Sequence, residues 1–399
     1  MGSIVDYVRW RGDLRFAQSP FNEIDSLIFN QFSYLDFGGI IPDGLPQQGR
    51  TLEAAAEIYF ASIEKRRRRV ALVASQIPAL FWLAAHSRRF AEVKIWGYRV
   101  HSSREQETQF SAVCFSLEEG KTFVSFRGTD DSLVGWKEDF NMAFLDQIPA
   151  QEQAVAYLEE MAGRCSQPLW VGGHSKGGNL AVYAAALCRD EVKERILAIY
   201  NHDGPGFAPA FFTQEGYRKI APKIWTVLPE ESLVGLLFYR GTPYQVAKSE
   251  AAGPLQHNVF CWEVEQTEIV KVPEVSKNSQ RMEEVLTAWL DALTAEEKRQ
   301  FVEVLFSLLE AKGSTNLVEV ADHPLSHLLD GVQAYRQCDE KTKEVVAKVV
   351  ASLVEQQKKT FVSSLKEKAQ AVYEESSLLK KVKKTGKNLR IFIDKGKRQ

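Results

Sequence analysis

Cysteine is scarce in this chain: five in 399 residues, at positions 114, 165, 188, 261 and 338, with no C-x-x-C pair among them. That number and spacing exclude a disulfide framework and the usual zinc sites, and they fit a reducing, cytoplasmic setting. Long apolar runs are missing as well. The best, Ile77 to Ala85, is half the ~18 residues that a membrane-spanning helix needs, and it contains Pro78. The opening MGSIVDYVRWRGD has no apolar centre, so no secretory leader is expected, and Asp6 breaks the myristoylation pattern. There is no internal repeat, and neither sign of charge dominates: 50 Lys and Arg stand against 52 Asp and Glu. With 45% hydrophobic and 26% charged residues, wholesale disorder and fibrous architectures are excluded, and two or three domains, or one with an extension, are expected.

The near-neutral total hides an asymmetry. Residues 380–399 hold nine Lys and Arg against Asp394 alone, a local +8 that leaves −10 on the preceding residues. Lysines interleaved with Leu389, Ile391, Phe392 and Ile393 suit anionic lipid headgroups, so a peripheral contact with an anionic membrane surface is expected of this tail. The run Arg66 to Arg69 is read as a solvated connector, and no nucleic-acid partner is expected. The sequence leaves the oligomeric state open.

Periodicity divides the chain into an N-terminal helical segment (1–92), a core (93–270), a helical extension (271–379) and the basic tail (380–399). Apolar residues at helical spacing mark 22–37, 51–63 and 70–87. From residue 93, strand patterns take over: VKIWGYRVHSS, TQFSAVCFSL and KTFVSF, then PLWVGG, RILAIYN, KIWTVL, YQVAKS and VFCWEV, with helical stretches between the later ones. Such alternation predicts an α/β fold with a mostly parallel, doubly covered sheet. Beyond 270 the strands stop, and Thr294 with Glu297 forms a capping box before an apolar helix that ends by Gly313.

The chemistry centres on VGGHSKGGNLAVYAAAL, where Gly173-His174-Ser175-Lys176-Gly177 makes a G-x-S-x-G between an apolar strand and a helix. A turn this tight needs neighbours without a Cβ. It lifts the serine hydroxyl clear of the sheet, and the helix N-terminus aims N–H groups at a developing oxyanion. A serine needs a base, later in the chain. Of seven histidines, His86 and His101 come too early, His174 points away on the turn, His202 is a weaker candidate, and His323 and His327 lie in the extension. His257, in GPLQHNVF, remains. The acid has two candidate places: Asp203, which is preferred, in NHDGPGF after one strand, and Glu230 or Glu231 after the next. Upstream, RGTDDSLVGWKEDF brings Thr129 to the same sheet edge, with a backbone N–H and a hydroxyl for an oxyanion. The Lys176 N–H is the second donor, and Arg127 with Asp130 stiffens the loop, which Trp136 and Asp139 pin. The Lys176 side chain is read as solvated. IPALFWLAA and PGFAPAFF are apolar enough to line an acyl site, though such runs more commonly pack in cores.

FRGT followed by a tryptophan and an acid, then GHSxGG opening a helix, resembles the class 3 lipases of the α/β-hydrolase fold. The set FRGTDDSLVGWKEDFNMAF, GGHSKGGNLAVYAA, NHDGPGF, PEESLVG and QHNVFCWEV resembles more closely the Mbeg-like family of bacterial hydrolase-like proteins, over about residues 20–265. The resemblance implies an α/β-hydrolase with Ser175 as nucleophile, His257 as base and Thr129 at the oxyanion. It departs from class 3 lipases in two places: their acid falls near Ser232, and they carry an apolar residue at Lys176. The expected function is a serine esterase or lipase acting on small-molecule or lipid esters without cofactor or metal. The alternative is a silent hydrolase fold that serves as a binding or membrane-associated scaffold.

Overall fold

The computed structural model describes residues 2–61, 76–117, 120–130 and 132–309, together with Glu340 and Lys343. The arginine run 66–69, His323, His327, Cys338, the helical pattern past 309 and the tail 380–399 lie outside the described residues.

Among the described residues, four helices precede the main strands: α1 (Ile4–Arg11), α2 (Glu23–Phe32), α3 (Leu52–Ala61) and α4 (Ile77–Ala85). Both α1 and α2 start with reciprocal capping boxes, Ser3 with Asp6 and Asn22 with Asp25. After β1 (Arg50–Thr51), the antiparallel strands β2 (Lys94–Ser103), β3 (Thr108–Leu117) and β4 (Lys121–Phe126) form one side of the sheet. Helices α5 (Leu133–Asn141) and α6 (Pro149–Arg164) then cross to β5 (Leu169–His174), which runs parallel to β4. Helices α7 (Lys176–Leu187) and α8 (Asp190–Arg195) cross to β6 (Ile196–His202), and α9 (Glu215–Ile220) crosses to β7 (Ile224–Pro229). The short β8 (Gln245–Ala247) extends the parallel set, and β11 (Lys271–Val272) closes the order β1-β2-β3-β4-β5-β6-β7-β8-β11. A separate ribbon pairs β9 (Val264–Glu265) with β10 (Glu268–Ile269).

The sheet is covered on both faces, and the pleat sorts its residues. Phe115, Phe123, Trp170 and Ala198 pack with α1–α4, whereas their neighbours Cys114, Val124, Val171 and Ile199 pack with α6 and α7. This is the mostly parallel, doubly covered sheet expected from the strand–helix alternation, in the α/β-hydrolase architecture that the resemblance implied, and it brings the carboxyl ends of β4–β7 to one edge. IPALFWLAA forms α4, and its Ile77, Leu80, Phe81, Ala84 and Ala85 are core. Cys114, Cys165 and Cys188 are buried free thiols. Arg89 and Asp25 form a fully buried ion pair at 2.5 Å, which fastens α2 while Arg89 also donates to the carbonyls of Leu14, Ser19 and Pro20.

One expectation needs correction. VFCWEV is not one strand: Val259–Cys261 is a 3-10 turn and only Val264–Glu265 is extended. Its apolar residues Val259, Phe260 and Trp262 are buried, so the segment turns to pack them inward. The C-terminal part does turn helical, as α10 (Lys277–Ala292) and α11 (Ala295–Leu309), the latter with the Thr294–Glu297 box. Val302 and Phe306 of α11 pack against Leu133 and the rings of Trp136 and Phe140 on α5.

Candidate active site

Ser175 sits between the end of β5 and the start of α7 with φ 59° and ψ −137°, a conformation that is costly for any residue with a side chain. A side chain on Gly173 would run into the Gly177 backbone, and one on Gly177 into the carbonyl of Phe126, which accounts for both glycines. The turn is pinned by Ser175 N–H donating to His202 O at 2.9 Å and by Gly178 N–H donating to Ser175 O at 2.8 Å. Ser175 is buried at this edge, and its hydroxyl makes no hydrogen bond to a described residue.

Asp203 is fully buried just past β6, at φ 50°, with its N–H on Val227 O. Its carboxylate is fully used. Oδ1 accepts from the Ser232 hydroxyl at 2.5 Å and from Gly235 N–H at 3.0 Å, and Oδ2 lies 2.6 Å from His257 Nδ1. Gly235 carries no Cβ because one would strike that same Oδ1. Of the two acid candidates, it is thus Asp203 that meets the His257 ring. Glu231 instead accepts from Gly253 N–H, and its own N–H donates to the Gln256 side chain, so it braces the turn that carries His257. Ser232, at the place where the resemblance to class 3 lipases puts an acid, donates to the acid from the neighbouring strand.

His257 ends a 3-10 turn, Gly253–His257, with its side chain 24% exposed. Its carbonyl accepts from His174 Nε2 at 2.8 Å, and the two imidazoles lie 4.5 Å apart. Because a carbonyl only accepts, His174 carries its proton on Nε2, and its Nδ1 accepts from Tyr34 OH at 2.9 Å. Burial, and then the charge of His257, hold His174 well below the ordinary imidazole range. His174 faces away from the open edge, as expected, yet it is the strut between the N-terminal region and the His257 turn. His202 is likewise no candidate base: it is fully buried, pushed down to about 3 by that burial, and bonded to Asn30 on α2 at 2.9 Å.

The Arg127–Asp130 loop leans directly on the nucleophile. A side chain at Gly128 would meet Tyr34 OH, the carbonyl of His174 and Ser175 Cβ, so only glycine allows this approach. Thr129 follows, its hydroxyl donating to Asp139 Oδ2 at 2.6 Å. That bond corrects one expectation: the hydroxyl proton is committed, leaving the backbone N–H, which has no partner among the described residues, as the donor on this side. Arg127 and Asp130 form the expected ion pair, at 3.7 Å.

Lys176 is a larger correction. Its side chain is not solvated but wholly buried, 2.7 Å from Glu138, 3.5 Å from Asp139 and within bonding distance of Gln109 O at 3.1 Å. Glu138 in turn accepts from the N–H groups of Gln109 and Ala150. Burial pushes the Asp139 carboxyl up to about 6 against the pull of Lys176 and of the Thr129 hydroxyl. A local reading of the sequence misses this cluster because Glu138 lies 38 residues from its partner; the available signal was a lysine in the elbow matched by the acids of KEDF. Breaking a buried pair strands a charge. Lys176→Met is therefore expected to lower unfolding free energy by about 3–5 kcal/mol, and Lys176→Met with Glu138→Gln by clearly less, in urea melts.

One helical turn along α7 from Ser175, at Asn179, a cavity of 340 Å³ opens between Met142, Leu145, Tyr183, Phe207 and Phe211. Phe207 and Phe211 stack at 4.0 Å, so part of PGFAPAFF does line a cavity. Among the described residues there is no cluster suited to a metal ion, and no helix is long and apolar enough to cross a membrane.

A sequence model described as Mbeg1-like matches residues 84–307. No curated protein matches the chain. Among solved structures, the chain is similar to the crystal structure of M37 lipase at 17% identity and TM-score 0.35, over 55% of this chain and 70% of that one. A triacylglycerol lipase from Penicillium expansum gives 12% identity and TM-score 0.31, over 47% and 76% of the two chains. The Rhizomucor miehei lipase–propeptide complex gives 16% and 0.29, over 58% and 81%.

Proposed function

The chain belongs to the Mbeg1-like family, and from that premise we propose that it is a serine hydrolase that cleaves carboxylic esters, lipid esters among them. The observation that carries the reading is the 2.6 Å contact between His257 and the buried Asp203, at the edge where Ser175 is held in its strained turn. In this reading Asp203 keeps the His257 proton on Nδ1, so Nε2 is free to take the proton of Ser175 Oγ as it attacks the ester carbonyl. The Ser175–His257 hydrogen bond closes when substrate is seated, as such bonds do in many enzymes. The tetrahedral oxygen is met by the N–H groups of Thr129 and Lys176, the first held by Asp139 and the second by the start of α7. His257 then protonates the departing alcohol and activates the water that releases the acid. No step calls for a metal or an organic cofactor. The cavity beside Asn179 takes the acyl chain; its volume lies within the range of ligand pockets, ~300–1,000 Å³.

The test is hydrolysis of a p-nitrophenyl ester series of increasing acyl length by the full chain. Turnover that rises with chain length and then falls as the cavity fills supports the reading. A folded protein that releases no p-nitrophenol from any ester, beside an active control esterase, rejects it.

A further inference from the structure

Arg240 is a partly buried cation with no ion pair among the described residues. Its Nη2 is sealed from solvent and has no hydrogen-bond partner among the described residues. The guanidinium lies 5.5 Å from the centre of the Tyr244 ring, and the nearest carboxylates, Glu283 and Asp203, act on it only through space. Burial pulls its pKa down, the signature of a charge that lacks compensation. The rest of the side chain is partly exposed, and a guanidinium without an ion pair is free to take an anion there.

The backbone holds it there. Phe238 sits at φ 63°, and the Arg240 loop is clamped to the segment after Asp203 by Gly206 N–H on Leu237 O, Phe207 N–H on Tyr239 O and Tyr239 N–H on Phe207 O. Gly206 is required, because a side chain would collide with the Tyr239 carbonyl. Arg240 faces a groove of 720 Å³ between this loop and α10, whose far wall carries Glu283, Glu284 and Asp291. The loop wall thus offers the exposed part of the Arg240 guanidinium with the rings of Tyr239 and Tyr244, and the α10 wall offers carboxylates, of which Asp291 already accepts from the Tyr239 hydroxyl. A plain anion suits the first wall and is repelled by the second. A ligand that bears a phosphate and, a few bonds away, a cationic amine suits both.

We infer that this groove binds a zwitterionic phosphoester headgroup, the phosphate on Arg240 and the amine toward α10. Resting on the hydrolase reading above, this makes the lipid ester substrate a phospholipid of that headgroup class. The test is calorimetric titration of the full-length protein with phosphocholine and with inorganic phosphate, and of Arg240→Gln, Arg240→Lys and Glu284→Gln with both. Phosphocholine is expected to bind more tightly than phosphate. Arg240→Gln should weaken it by tenfold or more, about what a charge-assisted pair is worth, and Arg240→Lys by less. Glu284→Gln should narrow the preference over phosphate. Removing an unpaired, partly buried charge leaves Arg240→Gln at least as heat-stable as the parent, which excludes unfolding as the cause of lost binding. Equal binding of the two probes would make this a simple anion site and overturn the headgroup assignment, as would phosphocholine binding that ignores Arg240→Gln. Phosphocholine binding through Arg240 in a protein that cleaves no ester would instead count against the hydrolase reading and leave the groove assignment standing.

Discussion

Ser175→Ala is expected to lower ester turnover by about six orders of magnitude, to the residue that oxyanion donors and substrate positioning alone provide. The size of the effect follows from the division of labour at the site. Without Oγ there is no bond for the acyl group to form, so His257 has no nucleophile to deprotonate and Asp203 has nothing to orient. The fold should not notice. The strain at φ 59° belongs to the backbone and persists with alanine, and the Ser175 hydroxyl makes no hydrogen bond to a described residue. Turnover measured on p-nitrophenyl butyrate, beside a thermal melt, separates the two: activity gone and melting temperature unchanged is the expected pair. A variant that retains a tenth of the activity would remove Ser175 from the chemistry.

Asp203→Asn is expected to cost about four orders of magnitude in turnover, for a reason the hydrogen bonds spell out. Ser232 and Gly235 both donate to one carboxylate oxygen, so the asparagine carbonyl must take that place. Its amide nitrogen then faces His257 Nδ1. A donor there turns Nδ1 into an acceptor and moves the imidazole proton to Nε2, the atom that has to accept the serine proton. Geometry is preserved while the tautomer is inverted. Glu231→Gln is the informative partner, because Glu231 was the other candidate acid and touches the Gly253 N–H rather than the imidazole. It should loosen the His257 turn and cost far less. If Glu231→Gln matches the loss of Asp203→Asn, or exceeds it, the assignment is reversed.

The legible part of this protein was the part written in short-range patterns. Gly173 and Gly177 around Ser175 announce a turn without room for side chains, and the apolar strand before it and the helix after it give that turn its place at a sheet edge. The alternation from KTFVSF to KIWTVL gave the parallel sheet for the same reason: strand and helix periods are local. Asp203 could be preferred over Glu231 but not selected, because both follow strands whose ends reach one edge. The choice is made by where Ser232, Gly235 and His257 converge, 29 to 54 residues away along the chain.

Three features were not legible. Lys176 reads as solvated because nothing near it in sequence is acidic, and Glu138 reaches it only once α5 is folded onto β3. VFCWEV has strand composition, yet it has no long edge to pair with, and its apolar side chains are better buried by turning. His174 carries no sign of its role, since its partners are the Tyr34 hydroxyl and a backbone carbonyl.

The central claim is an activated serine, and covalent labelling tests it most directly. The full-length protein is incubated with a fluorophosphonate probe beside Ser175→Ala and His257→Ala, and incorporation is read by mass spectrometry of the peptide that contains residue 175. The account predicts one adduct on Ser175 in the parent protein and none in either variant. A folded parent that takes up no probe while a control esterase is fully labelled, or a label that survives in Ser175→Ala, contradicts it.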